Sequence, residues 1–168
     1  MPATYERIAS TTLSSSSATI TFNSIPSTYT DLRLVLVNLM SNNGGNGIRM
    51  RYNSDSSALY SYTELGGYGT AISTRAANQT GAIVNILGSG FIGSPVNINF
   101  DIFSYAGSTF KSMLAFASGD GGTSGGSVDT AVTLWRSTSA ITSITLSSVD
   151  AYTFTSGTTA TIYGIKAA

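Results

Sequence analysis

The stretch Val96–Ile102, which reads VNINFDI, alternates apolar and polar residues without a break. Alternation with a period of two is typical of a β-strand that buries one of its faces. The buried face would be formed by Val96, Ile98, Phe100 and Ile102. The two asparagines and the aspartate between them would face water or a partner.

Other apolar stretches follow the same period. In Asp31–Val37 the leucines share one face, and the opposite face is also apolar beyond Arg33, which predicts a central strand covered on both sides. Ile48–Tyr52 repeats the alternation with two arginines pointing outward. Eight further strands are predicted over Tyr5–Ser10, Ala18–Phe22, Leu59–Leu65, Ala82–Leu87, Phe110–Ala117, Val128–Arg136, Ile141–Leu146 and Thr159–Ile165.

Clusters rich in glycine and asparagine separate these stretches, as at Asn42–Gly47, Gly66–Gly67, Gly88–Gly90 and Gly119–Gly122. Such residues accept the positive φ angles that tight turns need. No window of the sequence offers a convincing helical stripe. Ten or eleven short strands in a single domain spanning residues 1–168, with no repeat or linker, predict an all-β sandwich or barrel.

The composition excludes several classes of function. The 168 residues include neither cysteine nor histidine, which removes disulfides, thiol nucleophiles, imidazole bases and the usual zinc ligands. Eight basic and eight acidic residues give a net charge of zero, which argues against a nucleic-acid partner. The start of the chain has no secretory signal and the most apolar stretch is too short to span a bilayer, so we expect no membrane partner.

Two segments match the sequence patterns of known functional motifs, but the surrounding sequence lacks the features that those motifs need. Gly122–Gly126 fits the nucleophile elbow, but that motif needs a histidine base and a following helix. Gly88–Gly93 fits the dinucleotide fingerprint, but it leads into the strand Val96–Ile102 and not into a helix that would meet the pyrophosphate. We therefore expect glycine-rich turns, no catalytic residue and no cofactor.

The eight carboxylates are scattered, and nothing in the sequence marks two of them as a glycosidase pair. Calcium is the metal to consider, because its oxygen ligands require neither histidine nor cysteine. The oxygen-rich stretches Asn53–Ser57 and Asp120–Asp129 lack the spaced acids of a recognised calcium site. Solvated turns are the favoured interpretation, and no metal is expected.

The aromatic segment YSYTELGGY is the clearest surface candidate. Tyr60, Tyr62 and Glu64 share one face of a strand, and Tyr68 lies beyond the predicted turn. Two interpretations remain open: the tyrosines pack in the core or across a subunit interface, or they form an exposed platform for a partner or a sugar. Trp135 is expected to anchor the core.

The glycine-rich loops Asn42–Gly47 and Gly119–Gly126 either conform to a partner or form mobile tips. Surface loops are where binding residues concentrate. Asn42 and Asn43 in the first loop therefore join the three tyrosines as candidate partner contacts.

Several segments carry a resemblance to known proteins. They are Tyr5–Ala9 with Leu13, Ile25–Leu34, Asn53–Asp55 followed by Tyr60–Tyr62, Leu134–Thr138, Ile141–Leu146 and Gly157–Ile165. On these segments the chain resembles small virion proteins of tailed bacteriophages, cyanophages among them, over nearly its whole length. The resemblance implies a jelly-roll-like β-sandwich of about ten antiparallel strands that decorates or cements a capsid, often as a trimer. It brings no catalytic residues.

We therefore expect a non-enzymatic virion structural protein, a capsid decoration or cement protein on the capsid exterior. Its partners would be further copies of itself, as a homotrimer, and the major capsid protein or another virion protein. The 27 serines and 23 threonines would supply hydrogen bonds without the charge that makes binding strongly salt-dependent. The alternative is a tail fibre, spike or other host-adsorption module that binds a glycan or an envelope protein.

Overall fold

The computed structural model describes residues 5–42, 47–85, 94–120 and 126–166. Within these ranges there are strands, turns and irregular segments, and no helix that could cross a membrane. The strands are β1 (Tyr5–Thr12), β2 (Thr19–Phe22), β3 (Asp31–Leu39), β4 (Gly47–Tyr52), β5 (Tyr60–Tyr68), β6 (Thr70–Gln79), β7 (Ala82–Asn85), β8 (Val96–Phe103), β9 (Lys111–Asp120), β10 (Gly126–Trp135), β11 (Ile144–Ser148) and β12 (Thr159–Ile165).

Neighbouring strands are antiparallel throughout, and they form two sheets. The large sheet has the order β1-β12-β3-β8-β9-β10-β5-β6, and the small sheet has the order β2-β11-β4-β7. Apolar residues of both sheets form one buried cluster. The prediction of an all-β antiparallel sandwich is confirmed. In the described chain the large sheet starts at β1 and ends at β6 without closing, so the barrel alternative is wrong.

Eight of the strands follow jelly-roll topology. Strands β1, β12, β3 and β8 lie in one layer, and β2, β11, β4 and β7 form the other, in the order of two interlocked Greek keys. The other four strands are two inserted hairpins, β5–β6 between β4 and β7, and β9–β10 between β8 and β11. Both hairpins extend the large sheet beyond β8, so that it has twice as many strands as the small sheet.

The alternation in β8 places its apolar residues in the core, as predicted. The buried residues are Val96, Ile98, Phe100 and Ile102, each with 0% exposure. Burial of such a side chain contributes roughly 1.5–3 kcal/mol. In the large sheet β8 lies between β3, which belongs to the jelly roll, and β9, which belongs to an inserted hairpin.

Strand β3 differs from the prediction on one face. It is central, between β12 and β8, and its leucines are fully buried. On the opposite face Val37 is 47% exposed. The small sheet covers only one side of the large sheet, and no described element covers the other side, so β3 is not covered on both sides.

The sequence does not predict β6, because Thr70–Gln79 has no apolar alternation and forms an edge strand that is exposed along most of its length. Gly66–Gly67 is not a turn but part of β5. The change of direction falls at Gly69, whose φ of 67° suits glycine. Strand β11 begins at Ile144, three residues after the predicted start.

Candidate functional site on the outer face of the large sheet

On the face that points away from the small sheet, Val37 on β3 and Phe103 on β8 are exposed, and five further exposed apolar side chains lie on three adjoining strands of the large sheet. They are Leu65 on β5 (59% exposed), Leu114 (41%) and Phe116 (49%) on β9, and Val128 (52%) and Val132 (55%) on β10. These five residues define what is called the apolar face below. Exposed apolar residues scattered singly are normal, whereas contiguous patches mark interaction sites.

The strand register makes the apolar face contiguous. Val132 on β10 lies directly opposite Leu114 on β9. In the next row Thr130 lies between Phe116 on β9 and Leu65 on β5. Opposite side chains on neighbouring strands have their Cβ atoms roughly 4.5–5.5 Å apart. The exposed side chains therefore form one surface across three strands.

The apolar face bears no charge of its own. The outward-facing residues of β9 within 112–118, of β10 within 128–134 and of β5 within 61–67 are apolar residues, serines, threonines and one glycine. Charged residues are depleted in the same way at the centres of protein interfaces. The surface is suited to contact with another uncharged surface.

One charged residue flanks the apolar face on each side, in the row of Val132. This row consists of Asp101, Leu114, Val132, Thr63 and Arg75, on β8, β9, β10, β5 and β6 respectively. Asp101 accepts hydrogen bonds from Arg33 at 2.6 Å and 2.7 Å. Arg75 forms no ion pair with the described residues.

The inner face of the same strands is buried and carries ionisable groups. Glu64 on β5 is 1% exposed and accepts hydrogen bonds from the backbone N–H (3.2 Å) and the side-chain amide (2.7 Å) of Asn85 on β7. Burial raises the pKa of Glu64 to about 7; the bonds from Asn85 oppose this rise and the nearby Asp129 adds to it. The small sheet thus holds the inserted hairpins from within and leaves their outer face open.

A concave groove of about 460 Å³ adjoins the apolar face where β10, β5 and β6 meet. Its walls include Ser61, Tyr62, Thr63, Arg75, Val132 and Leu134. The register of β6 shifts beside the groove, because Tyr60 pairs with Gln79 but Tyr62 pairs with Ala76. Such a bulge bends the edge strand. The groove offers a guanidinium, hydroxyl groups and an apolar wall to a small polar ligand.

Tyr60 is not a partner contact. Its side chain is fully buried between the sheets, with the rings of Tyr52 and Trp135 each 6.0 Å away between centroids. Its hydroxyl accepts a hydrogen bond from the Tyr52 N–H at 3.2 Å. The core interpretation is therefore confirmed for Tyr60, and Trp135, at 2% exposure, is a core anchor as predicted. Tyr62 is half-buried on the same inner face of β5 as Tyr60 and Glu64, so its side chain does not point to the outer face that carries Thr63 and Val132.

The remaining candidate contacts are divided between described and undescribed parts of the chain. Tyr68 is the last residue of β5, and its side chain lies outside the described residues, as does all of Asn43. Asn42 is exposed and exchanges two hydrogen bonds with Thr153, at 3.1 Å and 3.2 Å. Asn42 thus belongs to the loop around Thr153 and not to the apolar face.

The two letter-matched motifs cannot be placed, because Gly88–Gly93 and all of Gly122–Gly126 except its last residue lie outside the described residues. In the described ranges no group of three or more acidic residues could hold a metal ion. Glu64 and Asp129 come together on neighbouring strands, but both are buried and neither lines the groove.

Reasoning from the sequence misses the apolar face. A signal was nevertheless present in β9, where Met113–Ala117 reads MLAFA and is apolar on both faces of the strand. A second signal is the pair Val128 and Val132, which share a face with Thr130 and not with the buried Ala131. Two apolar faces on one strand indicate either a covered sheet or an interface.

No protein-family model matches the chain, and no curated protein matches it. Among solved structures, the chain is similar to the crystal structure of the galectin LEC-6 from Caenorhabditis elegans, with a TM-score of 0.36 and 10% sequence identity. The match covers 94% of this chain and 96% of the galectin chain. At this TM-score the likeness carries no argument about function.

Proposed function

We propose that the protein is a non-enzymatic structural protein of a tailed-phage virion, a decoration or cement protein that binds the capsid exterior together with copies of itself. The observation that carries the proposal is the apolar face, with its five large side chains each 41–59% exposed on three adjoining strands. A surface without acid, base or thiol is suited to assembly and not to catalysis.

Two further observations support a role in a particle. Segments such as Ile25–Leu34 and Gly157–Ile165 resemble those of small phage virion proteins. Jelly-roll topology is common in viral capsid proteins, although it is shared with lectins and cupins and counts only as an analogy of fold.

The chemistry of the apolar face fits association of the copies with one another on a repeating lattice. Apolar contacts and hydroxyl groups bind without the strong salt dependence of charge pairs. Many copies on one lattice gain avidity even where each contact is weak. The proposal therefore requires no tight single site.

The test is reconstitution on purified capsids from which the decoration layer has been stripped. The added protein should bind at a fixed stoichiometry and raise the melting temperature of the capsid. V132K should lose both effects, because it places a charge in the centre of the apolar face through which the copies associate on the capsid. V37K is the matched control, since Val37 is a β-strand valine of similar exposure (47%, against 55% for Val132) that β8 separates from β9. Failure of the unmodified protein to bind the capsid contradicts the proposal.

The groove favours a second candidate function, a host-adsorption module that binds a glycan. Arg75 and the hydroxyls of Ser61 and Thr63 could bind sugar hydroxyl or carboxylate groups, while Val132 and Leu134 could pack on the ring. R75A should then abolish retention on a glycan array while the fold is preserved. The copy number per particle separates the two candidates, because hundreds of copies indicate the capsid and a few to tens indicate a tail or fibre.

A further inference from the structure

We infer that a second copy of the chain covers the apolar face, related by a two-fold axis that runs parallel to β10 and passes over Val132. The inference rests on the proposed function, because it names the partner of the assembly surface. This axis lays β10 on β10 of the second copy, β9 on β5, and β8 on β6. Position along the strands is unchanged by the rotation, so each row of residues meets the same row of the second copy.

The apolar residues match themselves under this rotation. Phe116 and Leu65 occupy one row at equal distances on either side of β10, so Phe116 of each copy meets Leu65 of the other. Val132 meets Val132, and Val128 meets Val128, because both lie on the strand under the axis. Leu114 of each copy meets the methyl group of Thr63 of the other. A two-fold interface needs such a self-complementary patch.

The charged residues on the two sides of the apolar face are also complementary under this rotation. Asp101 and Arg75 lie in the row of Val132, each two strands from β10 and on opposite sides of it. The rotation therefore places Arg75 of each copy over Asp101 of the other. Asp101 already accepts two bonds from Arg33, and a carboxylate has lone pairs for another donor. Arg75, which has no ion-pair partner among the described residues, would gain one.

The footprint is large enough for a dimer. Five strands spaced at about 4.8 Å and four rows of residues along them give a patch of about 24 Å by 24 Å, on the order of 600 Å² per copy. Two copies then bury more than about 1,000 Å², the lower bound for a specific interface.

The same face does not match a three-fold arrangement in this way. A trimer would bring the apolar face against a different surface of the neighbouring copy, and the row-by-row pairing of apolar with apolar and acid with base would be lost. We therefore expect a dimer in solution, although the resemblance to virion proteins implies a trimer.

Cross-linking through a single introduced cysteine tests the position of the axis, since the natural chain has no cysteine. In V132C the two thiols face each other across the axis, and a short bis-maleimide that spans the roughly 10 Å between packed sheets should convert most of the protein to a cross-linked dimer. V37C, on β3 outside the footprint, should remain uncross-linked under the same conditions. Equal cross-linking of both variants would overturn the two-fold arrangement.

Sedimentation of charge variants tests the Arg75 contact. The unmodified protein should sediment at twice the 17.4 kDa mass of the chain. R75D should weaken the dimer at least tenfold, because it faces Asp101 with a like charge, whereas R75K should retain it. Thermal unfolding of both variants checks that the fold persists.

The outcomes separate this inference from the proposed function. A monomeric or trimeric mass for the unmodified protein overturns the two-fold interface, as does R75D sedimenting like R75K. Binding of a monomer to stripped capsids would keep the proposed function and reject the dimer. A dimer that does not bind capsids would keep the interface and reject the proposed function.

Discussion

Trp135 donates its indole N–H to Asp55 Oδ2 at 2.7 Å, and this bond ties the end of β10 to the loop between β4 and β5. Asp55 Oδ1 accepts from the N–H of Ser57 at 2.8 Å and from its hydroxyl. Burial opposes ionisation of Asp55, but the bonds from Ser57 and Trp135 outweigh it and lower the pKa of the carboxyl group. One carboxylate thus joins the loop to the core aromatic residues.

Replacing Asp55 by alanine should reduce the free energy of unfolding by about 2–3 kcal/mol, because the buried indole N–H loses its partner. Because the pKa of Asp55 is lower in the folded state, its stabilisation is present above the unfolded value of about 3.8 and is lost as the pH falls through the folded value. Urea denaturation at pH 7 measures the loss. D55N keeps an oxygen acceptor and should lose less; equal losses would contradict this role.

Glu64 should make the protein less stable as the pH rises from about 4.5 to about 7, the unfolded and folded values of its pKa. The folded state binds the proton more tightly, so ionisation favours unfolding throughout this window and adds nothing more above it. The loss should not exceed about 3.5 kcal/mol, at roughly 1.4 kcal/mol per pKa unit.

Urea denaturation between pH 4 and 8 measures this dependence, and E64Q should flatten it. Glu6 provides the opposite case. The pKa of Glu6 is lowered by hydrogen bonds from Tyr29 and Lys166, so its stabilisation is present above the unfolded value and lost at lower pH. E6Q should therefore lower stability at neutral pH, and its difference from the unmodified protein should disappear at the acid end. An E64Q profile with the slope of the unmodified protein would show that Glu64 is ionised in the fold.

Much of the sandwich could be predicted, because period-two alternation reports burial directly. Val96–Ile102 alternates cleanly and buries its apolar face as expected. Thr70–Gln79 could not be predicted, since an edge strand exposed on both faces leaves no apolar pattern. The position of the two inserted hairpins beside β8 could not be predicted either. It depends on pairing between β10 and β5, which are distant in the sequence.

The candidate site was less accessible to sequence reasoning. Tyr60 and Tyr62 have the same residue type and lie two positions apart on one strand, yet only Tyr60 is fully buried, because the small sheet is narrower than the large one. The apolar face required the register of three strands, which brings Leu65 and Phe116 together across 51 positions of sequence. Alternation alone predicts on which face of the sheet a side chain lies. It does not predict which side chains of the neighbouring strands lie beside it.

Tyr60 and Tyr62 should therefore respond differently to the same change. Y60A should cost about 3–5 kcal/mol by leaving a cavity in the core. Y60F should cost about 1–2 kcal/mol, because the buried Tyr52 N–H loses its acceptor. Y62A should cost under about 1 kcal/mol, since the side chain is only half-buried. Chemical denaturation of the three variants checks this order, and a Y62A loss equal to that of Y60A would refute it.

Gly164 allows the ring of Tyr29 to lie directly on β12, because a Cβ atom at this position would overlap the ring. The Tyr29 hydroxyl donates to Glu6 at 2.9 Å, so the ring cannot move away without breaking that bond. G164A should cost about 1–3 kcal/mol by overpacking, which lowers the melting temperature by roughly 2–12 °C at about 2–4 °C per kcal/mol. Gly67 is the matched control, since a Cβ there meets no atom within 4 Å. Equal melting temperatures for G164A and G67A would show that the Tyr29 ring is free to move.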